Sequence, residues 1–198
     1  MTEHRFEADP SRVVIVLPGI RYTPAHPLLH YARLVALSHQ WTVQEIWWDA
    51  PGGEVDWVAW VGAAARDAIA AEAGRRVAIV GKSLGTLAIP VAAEQSIPGV
   101  WLTPLLGRVE VRAAVRKLPA ATLLIGGTTD DTWDSDVARA SGLGVHTVTD
   151  GDHVLEIAGD PVRSVDALRT VVVAMDQFFS SLGSSPSRGP SLDARGAT

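Results

Sequence analysis

Cysteine is missing from all 198 residues. Its absence excludes disulfide staples, thiolate nucleophiles and cysteine-ligated zinc, and removes the usual redox clue to compartment. Lysine is almost as scarce, with 2 residues against 15 arginines. The formal net charge is −5 and no basic cluster interrupts it, so no nucleic-acid partner is expected. No apolar run approaches membrane-spanning length. The opening MTEHRFEADPSRVVIVLPGI is charged where a secretion signal would need a basic patch and then a long apolar stretch. The expectation is therefore a cytoplasmic protein without a membrane partner. Cysteine ligands are absent and no calcium-loop pattern occurs, so neither a metal nor another cofactor is expected. Oligomeric state is not legible.

What is present is an ordinary globular composition, 47% hydrophobic, in a length that suits one domain. Short apolar runs at 13–17, 43–48, 77–80, 100–103, 122–125 and 145–148 read as strands, most closed by Gly, Pro or Asp. Their continuous apolarity, without alternation, fits a parallel sheet covered on both faces. Helical patterns fall between them at 27–38, 55–73, 84–95, 111–117 and 134–140. A last helix runs from Asp160-Pro161, an N-cap followed by a proline at the first helical position, to Leu182. Its stripe is Val165, Leu168, Val172, Met175, Phe179 and Leu182. The alternation predicts a doubly wound α/β domain over 1–182, with about six mostly parallel strands and helices on both faces. The polar, Gly- and Pro-containing segment 183–198 is expected to be a disordered tail. Pro90 sits awkwardly inside the predicted helix 84–95.

Ligands bind such sheets at the carboxyl ends of the strands, and the chemically suggestive residues fall there. Gly81-Lys82-Ser83-Leu84-Gly85 follows a strand and opens a helix. A serine hydroxyl is a weak nucleophile that needs a base, an orienting group for that base and donors for the oxyanion. G-x-S-x-G between strand and helix supplies the sharp turn that exposes such a serine. Asp130 and Asp131 lie past the strand 122–125, and His153 lies in the loop between the strand 145–148 and the last helix.

On Gly81–Gly85, with Asp130 and His153 in support, the chain from Val13 to about Leu182 resembles the α/β-hydrolase fold family in compact, cap-less form. The resemblance implies Ser83 as nucleophile and His153 as base. Asp130 is the implied acid, three residues past Gly127, with Asp131 as its competitor. It also implies backbone oxyanion donors at Leu84 and, in the loop LPGIRYTP, at Ile20, with Arg21 as fallback. That loop carries Pro18-Gly19 in place of the family's more familiar His-Gly.

Arg21, His26, Trp48, Leu105 and Trp133 are candidate pocket residues, the tryptophans being equally suited to core packing. Lys82 could favour anionic substrates; the blander reading leaves it solvated or paired with a surface carboxylate. The segment between the strands at 100–103 and 122–125 has room for one short helix and no cap. The implied function is hydrolysis of a carboxylic ester or thioester of modest size through an acyl-serine. The alternative is a catalytically silent module that keeps the fold and binds a small ligand.

Overall fold

Val13–Leu17 are fully buried because both faces of their strand are covered. Val13, Ile15 and Leu17 enter one apolar cluster, while Val14 and Val16 enter the other. The computed structural model describes residues 2–49 and 51–183. Its strands are β1 (Thr2–Phe6), β2 (Asp9–Leu17), β3 (Trp41–Trp47), β4 (Arg76–Lys82), β5 (Gly99–Leu102), β6 (Leu123–Gly127) and β7 (Gly144–Val148). The helices are α1 (Pro27–Ser38), α2 (Trp57–Ala71), α3 (Ile89–Glu94), α4 (Val109–Val115), α5 (Ser135–Ala140) and α6 (Pro161–Gly183). All seven strands form one sheet in the order β1-β3-β2-β4-β5-β6-β7, parallel except for β1. One face packs residues of α2, α3 and α4, such as Val61, Ala65, Val91 and Val111. The other packs Leu28, Ala32, Val171, Met175 and Phe179 from α1 and α6.

The sheet thus has one strand more than the sequence suggested. Strand β1, TEHRF, shows neither alternation nor an apolar run, and four of its five residues are exposed. Polar side chains hold it to the edge. Arg5 pairs with the buried Glu72 at 2.5 Å, and Gln44 Nε2 donates to Glu3 at 2.9 Å. Arg75 pairs with the same Glu72. Pairing of this kind leaves no hydrophobic trace in a sequence.

The helix expected over 84–95 is two pieces. Ser83–Ala88 is a 3₁₀ turn, and α3 begins only at Ile89. Pro90 therefore falls in the first turn of α3, where its missing N–H and fixed φ cost nothing. The stripe of α6 is also displaced: Ala167, Val171 and Phe178 are buried, whereas Val165 is 66% exposed. Helix α6 continues to Gly183, so that residue is not tail; the rest of the expected tail lies outside the described residues. No helix among the described residues is long and apolar enough to cross a membrane.

Candidate active site

Strand β4 delivers Ser83 to the carboxyl edge of the sheet. The turn is sharp enough that Ser83 takes φ +50°, a left-handed conformation rarely adopted by a residue with a Cβ. Such strain is held in place by its surroundings. The Trp101 ring would lie 2.7 Å from a Cβ on Gly81, and a Cβ on Gly85 would run into the carbonyl of Leu17. The two glycines thus answer to the flanking strands β5 and β2. Thr86 Oγ1 donates to the Ser83 carbonyl at 2.6 Å and accepts the Leu105 N–H at 3.2 Å, tying the turn to the loop after β5.

His153 and Asp130 come from neighbouring loops that touch backbone to backbone. A Cβ on Gly127 would collide with the Gly151 carbonyl. Thr129 Oγ1 donates to that same carbonyl at 2.8 Å. Asp152 shapes the histidine loop by accepting the N–H groups of Val154 and Glu156 at 2.8 and 3.0 Å.

These elements bring the three side chains into contact. His153 Nε2 lies 2.8 Å from Ser83 Oγ, and His153 Nδ1 lies 3.0 Å from both Asp130 oxygens. Asp130 is buried and Asp131 is exposed, so of the two candidates only Asp130 faces the imidazole. Thr132 donates to Asp130 Oδ1 twice, from its N–H at 2.9 Å and its hydroxyl at 2.8 Å. Burial alone would raise the Asp130 pKa. The hydrogen bonds from His153 and Thr132 outweigh it and leave the pKa below the usual carboxylate value. Thr132 escaped the sequence reading, although a hydroxyl two residues past an aspartate is the spacing of a local side-chain turn.

The loop after β2 passes directly over the serine. A Cβ on Gly19 would sit 3.3 Å from Ser83 Cβ. Gly19 and Tyr22 bridge across a tight turn, with the Gly19 N–H donating to the Tyr22 carbonyl at 3.1 Å. Ile20 and Arg21 form its tip, and Arg21 takes φ +55°. Leu84 is the second residue of the 3₁₀ turn, and amides at the start of a helix have no partner within it.

Lys82 is neither solvated nor paired with a surface carboxylate. It is 2% exposed, its ammonium lies 4.7 Å from the centre of the Tyr22 ring, and it makes no ion pair among the described residues. Burial lowers its pKa to about 8, against the opposing pull of Asp130 and Asp152.

No protein-family model matches the sequence, and no curated protein matches it. Solved structures do. A serine hydrolase without a lid from Xanthomonas campestris superposes with a TM-score of 0.69 at 15% identity, covering 93% of this chain and 90% of that one. Est1E from Butyrivibrio proteoclasticus gives 0.70 at 14% identity, covering 90% and 93%. A monoacylglycerol lipase from Paleococcus ferrophilus gives 0.65 at 15% identity, covering 89% and 98%. The chain has a minimal, lidless α/β-hydrolase fold.

Within this hydrolase fold, the candidate pocket residues divide around the 18–23 loop. A cavity of about 750 Å³ beside the histidine loop is lined by Arg21, His26, Asp152, Leu155, Ile157 and Leu168, among others. A second, of about 640 Å³, lies on the β1–β3 side and includes His4, Ile20, Arg21, Trp47, Trp48 and Asp49. Leu105 and Trp133 line neither. Leu105 packs against the core, and Trp133 covers Gly126 while its Nε1 donates to Ser135 at 2.8 Å. Trp101 is fully buried core.

Proposed function

We propose that the protein is a serine hydrolase that cleaves carboxylic esters or thioesters of modest size through an acyl-serine intermediate. The observation that carries this reading is the unbroken hydrogen-bond chain from Ser83 through His153 to Asp130. Neutral His153 takes the Ser83 proton as the oxygen attacks the carbonyl carbon. Asp130, kept ionised by Thr132 and His153, fixes the imidazole tautomer and stabilises the imidazolium. The N–H groups of Leu84 and Ile20 are the proposed oxyanion donors. His153 returns the proton to the departing alcohol or thiol, then activates a water that releases the acid and regenerates Ser83.

Two features favour a small substrate. Only α4 and short loops occupy the stretch between β5 and β6, so no cap closes over the serine among the described residues. Among the structural neighbours, one is a monoacylglycerol lipase and Est1E has been captured with ferulic acid. The candidate site needs no metal or cofactor for this chemistry.

Labelling with a fluorophosphonate probe and turnover of p-nitrophenyl acyl esters test the reading. Ser83→Ala is expected to abolish labelling and to lower turnover by roughly 10⁴-fold or more with the thermal melt unchanged. A wild-type protein that is neither labelled nor active overturns the reading and leaves a ligand-binding module.

A further inference from the structure

A lysine beside a nucleophilic serine would ordinarily reach water. Lys82 instead lies under the loop that crosses the serine. Its Cδ would lie 3.2 Å from a Cβ on Gly19, and its ammonium faces the Tyr22 ring at 4.7 Å. Those two residues are the ends of the turn whose tip is Ile20 and Arg21. Tyr22 is itself fixed from the far side. Its hydroxyl accepts the Leu28 N–H at 3.1 Å at the start of α1, and its ring stacks on His26 at 4.6 Å. The turn therefore has one anchor in α1 and one in Lys82, and the second is the one adjoining Ser83 in sequence.

We propose that Lys82 is a positioning residue: its charged ammonium, seated against the Tyr22 ring, holds the Gly19–Tyr22 turn down over Ser83 at the height its backbone donor requires. The inference rests on the hydrolase reading above for its catalytic consequence, but not for the placement of the turn. A cation is drawn to an aromatic face, and this attraction strengthens away from water. A neutral amine has no such attraction, so loss of the proton frees the turn. The groups facing the ammonium are Tyr22 from the loop after β2, Asp130 from the loop after β6 and Asp152 from the histidine loop. Burial raises the Tyr22 pKa to about 12, so the ring stays a neutral phenol while Lys82 titrates. Its tuning by burial puts the switch near pH 8.

The test uses the full chain with Lys82→Met, which keeps the length of the side chain, and Lys82→Arg, which keeps the charge. Amide NMR shifts of Gly19–Tyr22 and ester turnover are followed from about pH 6.5 to 9.5. In the wild type the turn amides should shift with a midpoint near pH 8, and kcat should fall along the same curve. Lys82→Met should lose the amide titration and lower kcat about 10- to 100-fold, the size of effect that a misplacement near 1 Å produces. Lys82→Arg should restore at least part of kcat and carry it past pH 9. Turn amides that do not titrate in the wild type, or Lys82→Met with wild-type kcat and pH profile, overturn the proposal. If the amides titrate as expected but no ester is turned over, the anchoring of the turn stands and the hydrolase reading fails.

Discussion

Replacing Lys82 with methionine should make the protein more stable, and by an amount that depends on pH. A lysine ordinarily titrates near 10.5, whereas Lys82 in the folded chain releases its proton near pH 8. Below pH 8 the ammonium is charged in both states, and keeping it buried costs about 3 kcal/mol at roughly 1.4 kcal/mol per tenfold change in proton affinity. The net gain from methionine near pH 7 is then about 3 kcal/mol, or about 6–12 °C in Tm for a chain of this size. The sign fixes the pH window. Between about pH 8 and 10.5 the unfolded chain holds more protons than the folded one, so wild-type stability attributable to Lys82 rises. The advantage of the variant should shrink across that window and vanish near its upper end. Paired urea melts of wild type and Lys82→Met at several pH values measure the difference directly. A variant that is less stable near pH 7, or an advantage that does not shrink with pH, refutes the account of Lys82 as a buried cation held without a direct ion pair among the described residues.

Other substitutions probe the site and its supports. Asp130→Asn should lower kcat by about 10⁴-fold by releasing the imidazole tautomer, while Asp131→Asn, at an exposed position, should leave kcat within about twofold; steady-state kinetics of the two variants compares them. Gly85→Ala would push a methyl into the Leu17 carbonyl, and should lower stability by about 1–3 kcal/mol, or prevent folding, as read by a urea melt. Glu72→Gln leaves Arg5 and Arg75 without their shared carboxylate. Because both arginines stay part-exposed, it should cost only about 1 kcal/mol and loosen β1 first, seen as faster amide exchange over Thr2–Phe6.

The parallel strands were legible because burial on both faces writes itself as continuous apolar runs, as in Val13–Leu17. Ser83, Asp130 and His153 could be picked out because each follows such a run, and the structure brings the three together. What stayed hidden depends on contacts between distant residues. Strand β1 is held by Arg5 and Gln44, whose partners lie far away in sequence or on its own polar face. The fate of Lys82 was misread because its environment is Tyr22, 60 positions earlier and brought over it by the β2 loop. The break in the elbow helix was signalled by Pro90, but its position relative to the true helix start had to come from the fold. Thr132 is local to Asp130, yet nothing in TTDDTW alone says which aspartate it serves.

The carbonyl of Gly151 packed against Gly127 makes the loops bearing His153 and Asp130 a single mechanical part, with no side chain between them to act as a cushion. Distortions of the β6–β7 edge should therefore carry imidazole and carboxylate together. Their mutual hydrogen bond would survive while the gap to Ser83 opens. An impaired variant of that edge would then have an intact proton relay aimed at the wrong spot.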